Sequence, residues 1–207
     1  RDVDGGFLTT AVTATPELPS WEKLAGMIGE KFKVFSLWHN VNAGDGNGVF
    51  GNRWKLLEGK GKYSAHECGI RFEVGPNTFM QVNRSVCRKL YERTVRFATE
   101  SGAKVAVDAY SGSGLLTAML AKQIGRAYGI EVVAEAVQCA NDLIVPNKLE
   151  GKLINLCGKV EDELPKVLAE QDLSQTVLVV DPPRKGVDRA TPVSYTHLRA
   201  HETELHL

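Results

Sequence analysis

Apolar segments and amphipathic helical segments alternate regularly from about residue 84 to residue 181. Each apolar segment is short enough for a buried strand, and each is preceded by a segment with helical spacing of its apolar positions. The predicted strands cover residues 104–110, 126–131, 152–157 and 176–181, and the predicted helices cover residues 85–102, 115–124, 133–144 and 161–171. This order predicts βαβ units and a parallel sheet that is covered on both faces.

The first 78 residues have a different pattern, in which short β-like segments surround one helix. Strands are predicted at residues 7–14, 33–41 and 70–74, and the Gly- and Asn-rich residues 42–52 are typical of turns between strands. Ser20 is the predicted N-cap of the helix, which carries Trp21, Leu24 and Ile28 on one face.

These two patterns predict three parts of the chain. Residues 1–78 form a small α+β domain, residues 79–190 form an α/β, Rossmann-like domain, and residues 191–207 are a separate tail. The first residues lack both an initiator Met and an apolar signal core, so we expect the sequence to be the interior of a longer chain.

Composition and charge exclude several classes of protein. The 207 residues are 43% hydrophobic and 24% charged, which is ordinary for a globular protein, and the net charge of zero excludes an overall basic field. The longest apolar stretch, residues 176–180, is too short to cross a bilayer. The four cysteines are scattered without a CxxC pair, which indicates a reducing compartment, and we expect a cytoplasmic protein without a metal site.

The first predicted strand of the second domain ends in the sequence DAYSGSGLL. Asp108 closes the strand, and Gly112 and Gly114 permit a tight turn that brings backbone close to a ligand before a helix begins. Such a loop serves NAD, FAD or S-adenosylmethionine, or merely connects a strand to a helix. Thr117 departs from the small residue that the dinucleotide fingerprint requires.

Two further acidic residues follow predicted strands. Glu131 lies seventeen residues after Gly114, where a carboxylate accepts hydrogen bonds from both hydroxyls of a ribose, or alternatively begins a helix. Asp181 follows the last strand and precedes two prolines, which stiffen the loop, and the basic Arg184 and Lys185. Arg184 stands where amino-methyltransferases place an aromatic residue, which disfavours chemistry on a base amino group.

Together these segments resemble the RNA uracil-C5 methyltransferases, which form 5-methyluridine in tRNA and ribosomal RNA. The resemblance covers residues 5–190 and depends on FMQVN, DAYSGSG, GIE and above all DPPRKG. It implies a class I methyltransferase domain in which Gln81, Tyr110, Glu131 and Asp181 bind S-adenosylmethionine. Without the resemblance, the sequence pattern predicts only that Gln81 is part of a linker.

Some positions depart from the family pattern. Met80 and Ser111 replace a Phe and a Cys with little expected consequence. Leu115 stands where many members carry Asn or Thr, and Lys159 stands where an acid often approaches the adenine. Two of the family's polar cofactor contacts are therefore not predicted here.

The resemblance also implies the chemistry. A cysteine thiolate adds to C6 of uracil, C5 then attacks the methyl group, and a carboxylate removes the C5 proton. The family's cysteine and its glutamate base follow DPPRKG, and the sequence here contains neither of them. We therefore predict no catalytic residue in this chain, an incomplete Rossmann-like domain without activity, RNA as the partner of the whole protein, no membrane, and a monomer.

Two basic or histidine-rich segments remain. The helix after residue 83 carries five cations, which form either a stripe that contacts phosphates or a solvated face: Arg84, Arg88, Lys89, Arg93 and Arg96. The tail contains His197, His201 and His206, whose spacing does not fit an HExxH metal site. It resembles the translated read-through of a sequencing adapter, and we expect no native fold there.

Three other functions stay open at this point. A methyltransferase for a base amino group would share the cofactor site, and a nicotinamide-dependent oxidoreductase would share Gly112, Gly114 and Glu131. A non-catalytic RNA-binding relative would account for the missing cysteine.

Overall fold

The computed structural model describes residues 2–3, 6–44, 46, 48–76, 78 and 83–182. The chain divides into two compact units. The first unit comprises Arg1–His66 and Phe72–Thr78, and the second comprises Glu67–Arg71 and Phe79–Leu207. Among the described residues, no helix has the length and apolar character that a membrane crossing requires.

The first unit is built on a four-stranded mixed sheet and a hairpin. Its elements are β1 (Asp2–Val3), β2 (Gly6–Thr13), α1 (Trp21–Gly29), β3 (Val34–Val41), β4 (Arg53–Gly59), β5 (Tyr63–Glu67) and β6 (Ile70–Val74). The sheet order is β1-β2-β3-β4, and β2 and β3 are parallel because α1 connects them. The hairpin consists of β5 and β6, whose turn belongs to the second unit.

The helix of the first unit confirms the predicted face but corrects its cap. Trp21, Leu24 and Ile28 are half-buried, as their helical spacing predicts. Ser20 adopts a left-handed conformation with φ of 57°, and its side chain makes no capping hydrogen bond. The helix therefore begins without a side-chain cap, because an N-cap needs extended backbone to aim its hydroxyl at the first turn.

The second unit contains a parallel sheet between helices. Its elements are α2 (Arg84–Glu100), β7 (Val105–Ala109), α3 (Leu115–Ile124), β8 (Ala127–Glu131), α4 (Ala134–Asn141), β9 (Leu153–Cys157), α5 (Val160–Ala169) and β10 (Thr176–Val180), with short 3₁₀ turns at Val145–Asn147 and Leu173–Gln175. The sheet order is β10-β7-β8-β9 and all its strands are parallel. The order reverses between β7 and β10, which is where open α/β sheets bind ligands.

The core of this unit lies between β7, β8 and α5. Val107, Ala109, Ile130 and Leu164 are each fully buried there. Because both faces of β7 are covered, its residues read as a continuous apolar run that is interrupted only by Asp108. An acidic residue is rarely buried in a core, so this position indicates a role other than packing.

A buried carboxylate fastens the turn of the hairpin to α2. The side chain of Glu67 is only 7% exposed, and its Oε2 accepts hydrogen bonds from Nε and Nη2 of Arg84 at 3.0 and 2.6 Å. Its Oε1 accepts a hydrogen bond from Nε of Arg88 at 2.9 Å and forms an ion pair with Nη2 of Arg88 at 2.8 Å. Burial acts to raise the pKa of Glu67, but the hydrogen bonds and charges of both arginines outweigh burial and lower it.

The same turn has two further attachments within the second unit. The side-chain amide of Asn147 accepts from the N–H of Arg71 at 2.8 Å and donates to its carbonyl at 2.7 Å. Nζ of Lys122 donates to the carbonyl of Gly69 at 2.9 Å. The turn Glu67–Arg71 is therefore held by side chains from α2, α3 and the first 3₁₀ turn.

Four of the five cations of α2 therefore have partners within the helix or the hairpin turn. Arg84 and Arg88 bind Glu67, while the guanidinium carbons of Arg93 and Arg96 lie 5.2 and 5.9 Å from the ring centroid of Phe97. The sequence offered two interpretations of this helix, a phosphate stripe or a solvated face. Neither included these contacts, because the contacts depend on Glu67 outside the helix and on stacking against Phe97 within it.

We expect Glu67→Gln to lower the free energy of unfolding by about 1–3 kcal/mol at pH 7, because it removes the charge that both arginines bind. The folded-state pKa of Glu67 lies below the ordinary 4.5, so this stabilisation is present above pH 4.5 and is lost as the pH falls through the folded-state pKa. Urea unfolding at a series of pH values measures both effects.

The matched control is Glu73→Gln, since Glu73 is 58% exposed and lies 3.9 Å from Lys62. An exposed pair at that distance contributes little. Equal losses for both substitutions would contradict a special role for the Glu67 cluster.

Candidate functional site

Three strands bring predicted site residues to one level at the carboxyl edge of the parallel sheet. The register pairs Ala109 of β7 with Val180 of β10 and with Ile130 of β8. The residues that follow these three positions are Tyr110, Asp181 and Glu131. The structure therefore brings together three of the four predicted cofactor residues, while Gln81 lies outside the described residues, as do Arg184, Lys185 and the histidines of the tail.

The loop after β7 passes through the left-handed region three times. Tyr110, Gly112 and Gly114 have φ values of 67°, 54° and 78°. A Cβ on Gly114 would lie 2.6 Å from the Cβ of Ala140 in α4, whereas a Cβ on Gly112 would meet no heavy atom within 4 Å. Gly114 is thus required for close helix packing, and Gly112 faces open space where backbone can approach a ligand.

Glu131 holds this loop in place. Its Oε2 accepts a hydrogen bond from the N–H of Gly112 at 3.0 Å, and its Oε1 accepts from the N–H of Val133 at 2.8 Å. Val133 is the N-cap residue of α4, so the interpretation of Glu131 as an acid at the start of a helix describes part of its environment, while ribose binding stays a prediction. A carboxylate has about four acceptor sites, which leaves two for hydroxyl groups of a ligand.

Asp108 is buried directly beneath the loop. It is 2% exposed, and its Oδ2 accepts a hydrogen bond from Oγ1 of Thr117, which is fully buried, at 2.6 Å. Burial raises the pKa of Asp108 to about 7; the hydrogen bond from Thr117 opposes this, and the charges of Asp181 and Glu131 add to it. Thr117, which departed from the dinucleotide fingerprint, serves as the partner of this carboxyl.

Sequence reasoning missed the polar groups beside the loop. A Cβ on Gly129 of β8 would lie 2.9 Å from Oγ of Ser111 and 2.9 Å from Oδ1 of Asn155, so only glycine admits both side chains. Nδ2 of Asn155 donates to Oδ1 of Asn141 at 3.0 Å, whereas its own Oδ1 is buried and has no partner among the described residues. A glycine within a predicted strand was the available signal.

Two side chains of α2 lie within electrostatic range of the site. Burial raises the pKa of the Tyr91 hydroxyl, and the charges of Asp108 and Asp181 act in the same direction. Burial also raises the pKa of the Cys87 thiol, to which Asp181 contributes. A raised pKa keeps the Cys87 thiol protonated at neutral pH.

Three carboxyl groups thus lie at one loop. Glu131 and Asp181, at the strand ends, favour a ligand that carries positive charge and hydroxyl donors, whereas Asp108 is buried beneath the loop and accepts from Thr117. The pyrophosphate of a nicotinamide dinucleotide carries negative charge and would face the same carboxylates. Within the described part of the chain, no group of three or more His, Cys, Asp or Glu side chains is placed to hold a metal ion.

Comparison with known proteins finds relatives both by sequence and by structure. The chain is 36% identical over 185 residues to an uncharacterized RNA methyltransferase of Enterococcus faecalis, covering 89% of this chain and 40% of that protein. It is 33% identical over 189 residues to an uncharacterized RNA methyltransferase of Bacillus cereus, covering 91% and 41%. The chain spans about two-fifths of the length of the curated relatives it matches. No protein-family model matches the chain.

The structural relative is the tRNA (uracil-54, C5)-methyltransferase of Pyrococcus abyssi in complex with S-adenosyl-L-homocysteine. Its TM-score is 0.69 at 20% identity, and the similarity covers 91% of this chain and 43% of that one. This similarity confirms the predicted fold class, in which a Rossmann-like α/β domain follows a small α+β region.

We expect Asp108→Asn to remove a pH dependence of folding. Between pH 3.8 and about 7 the unfolded chain ionises Asp108 while the folded chain keeps the proton, so the free energy of unfolding falls as the pH rises through this interval. The Asn variant lacks this loss, and its stability relative to the wild type should rise from pH 4 to pH 7 by roughly 1–4 kcal/mol.

Urea unfolding of both proteins at each pH measures the difference. Asp142→Asn is the control, because Asp142 is exposed and accepts only a surface hydrogen bond from Gln138. A pH-independent difference between Asp108→Asn and the wild type would contradict the raised pKa.

Proposed function

The chain resembles RNA methyltransferases over nine-tenths of its length, and on this premise we propose that it is part of an enzyme that methylates C5 of uridine in tRNA or ribosomal RNA. The resemblance to RNA methyltransferases that the motifs predict is confirmed by these relatives. The uridine specificity, the cofactor and the RNA partner are our proposal for the whole protein, as are its cytoplasmic location and monomeric state.

The observation that carries the cofactor assignment is the convergence of Tyr110, Glu131 and Asp181 at the open loop. S-adenosylmethionine carries a sulfonium, an ammonium and a ribose with two hydroxyls, and it supplies an electrophilic methyl group when bound. Glu131 would accept from the ribose hydroxyls, and Tyr110 would line the pocket. Asp181 would close it, and its carboxylate would favour the positive charge of the ligand.

Two details of the structure fit this cofactor. Gly112 opens toward space in which a ligand can approach the backbone, and Glu131 keeps two acceptor sites available. The buried Oδ1 of Asn155 is an acceptor without a partner among the described residues, next to Ser111 of the loop. The same three carboxylates weigh against the oxidoreductase that the glycine loop alone left open.

We expect the full-length protein to bind S-adenosylhomocysteine and not NADH in titration calorimetry. Glu131→Gln should weaken the binding of S-adenosylhomocysteine roughly tenfold, because an amide offers one acceptor oxygen where the carboxylate offers two. The control is Glu135→Gln, an exposed acid in the first turn of α4. Tight binding of NADH without a response to S-adenosylhomocysteine would refute the cofactor assignment.

The uridine specificity is tested by the fate of the C5 proton. Methylation at C5 replaces that proton, so RNA labelled with tritium at uridine C5 should release tritium in step with transfer of the methyl group. Changing the family cysteine of the full-length protein to serine should abolish both. Methyl transfer without tritium release would indicate a base amino group or another acceptor.

A further inference from the structure

The loop that joins β3 and β4 in the first unit carries an exposed apolar pair. These tip residues are Val49, which is 71% exposed, and Phe50, which is 39% exposed. The sequence pattern predicts only turns for residues 42–52. Two exposed apolar residues at a loop tip are unusual, because loops commonly expose polar groups and bury their apolar ones.

The loop is held by two asparagine side chains. Asn40 is fully buried; its Oδ1 accepts from the N–H of Gly51 at 2.8 Å, and its Nδ2 donates to the carbonyls of Gly51 and Arg53 at 2.9 and 3.1 Å. Nδ2 of Asn42 donates to the carbonyls of Gly48 and Val49 at 2.8 and 3.3 Å. These bonds tie the backbone on both sides of the tip to the end of β3.

Gly51 allows the backbone of the loop to lie very close to the end of β3. A Cβ on Gly51 would overlap the carbonyl oxygen of Val41, so no other residue fits this backbone path. The buried asparagine and the required glycine together preorganise the tip. A preorganised contact loses less conformational entropy when a partner binds than a flexible loop does.

The tip is aromatic and lies beside positive charge. The ring centroid of Phe50 is 4.9 Å from that of Trp54, which in turn is 6.3 Å from that of Trp38. Asn42, Phe50 and Arg53 line a shallow groove together with glycine backbone of the loop. Arg53 is exposed, and Lys55, which is also exposed, lies two residues further along β4.

We propose that the tip Val49–Phe50 stacks against an unpaired base of the RNA substrate, while Arg53 contacts the adjoining phosphate. This inference rests on the proposed function. Unpaired bases are recognised by stacking on aromatic rings and guanidinium planes, and cations beside the ring match the charge of the backbone. A protein partner fits less well, because a stable interface buries about 800 Å² on each side, far more than two residues offer.

The experiment uses the full-length protein and two RNAs, a hairpin with an unpaired uridine-containing loop and a fully paired duplex. Fluorescence anisotropy measures the affinity for each, and calorimetry with S-adenosylhomocysteine reports on the cofactor site in the second unit. Phe50→Ala should weaken binding of the hairpin roughly five- to a hundredfold and leave both duplex binding and cofactor binding unchanged. Phe50→Trp should retain or strengthen hairpin binding, which loss of a merely structural contact would not predict.

The matched control is Phe32→Ala. Phe32 is 52% exposed and packs edge-on against Phe7 with 5.6 Å between centroids, near the start of β3 rather than its end. It should leave hairpin binding unchanged. Arg53→Gln should lower the salt dependence of hairpin binding by about one phosphate contact.

Each outcome decides the inference. Equal effects of Phe50→Ala and Phe32→Ala would overturn it, as would a loss of stability and of cofactor binding in Phe50→Ala, since the tip would then support folding. If the wild type binds hairpin RNA through Phe50 but releases no tritium from labelled uridine, the uridine specificity fails and the tip assignment stands. If the wild type methylates uridine and Phe50→Ala binds normally, only the tip assignment fails.

Discussion

The carboxylate of Glu131 joins three elements of the second unit, because its two oxygens accept hydrogen bonds from Gly112 in the loop after β7 and from Val133 at the start of α4. These bonds hold the loop, and α3 begins directly after it. Among its left-handed residues only Tyr110 is not glycine, so Tyr110 carries the strain that such bonds offset. The position of the loop, with Gly112 facing open space and Gly114 packed on Ala140, therefore depends in part on a side chain that we propose also binds the ligand.

Placing three carboxylates at one edge of a sheet is unfavourable for folding by itself. Burial is the main cause of the raised pKa of Asp108, and the charges of Asp181 and Glu131 add to that shift. A cationic ligand would relieve the same repulsion when it binds. The repulsion among the acids of the second unit is therefore consistent with the positive charge of the proposed cofactor.

Sequence reasoning predicted the elements whose apolar pattern is local. The alternation in the second unit placed every described helix and strand of the parallel sheet. The strand ends directed attention to Glu131 and Asp181, and the family resemblance added Tyr110; the cofactor contacts of all three stay predictions. Sequence reasoning missed β4 and β5, because their residues are mostly polar and half-exposed and show no apolar periodicity. It also missed the contacts that join distant positions, such as Glu67 with Arg88 and Asn147 with Arg71, since no local pattern encodes which charge or amide will meet.

The arginines show how such long-range contacts change a functional interpretation. A helix with five cations suggests phosphate binding, but Glu67 binds two of these cations and offsets one positive charge, and two others lie against the ring of Phe97. A chain with zero net charge also has no overall field to attract RNA. If the whole protein binds RNA as we propose, this part of it would contribute more through stacking and shape than through charge, which favours a surface that is ordered before the RNA binds. In the first unit, the asparagine-braced tip at Phe50 has that property, because its backbone is bonded to β3 on both sides.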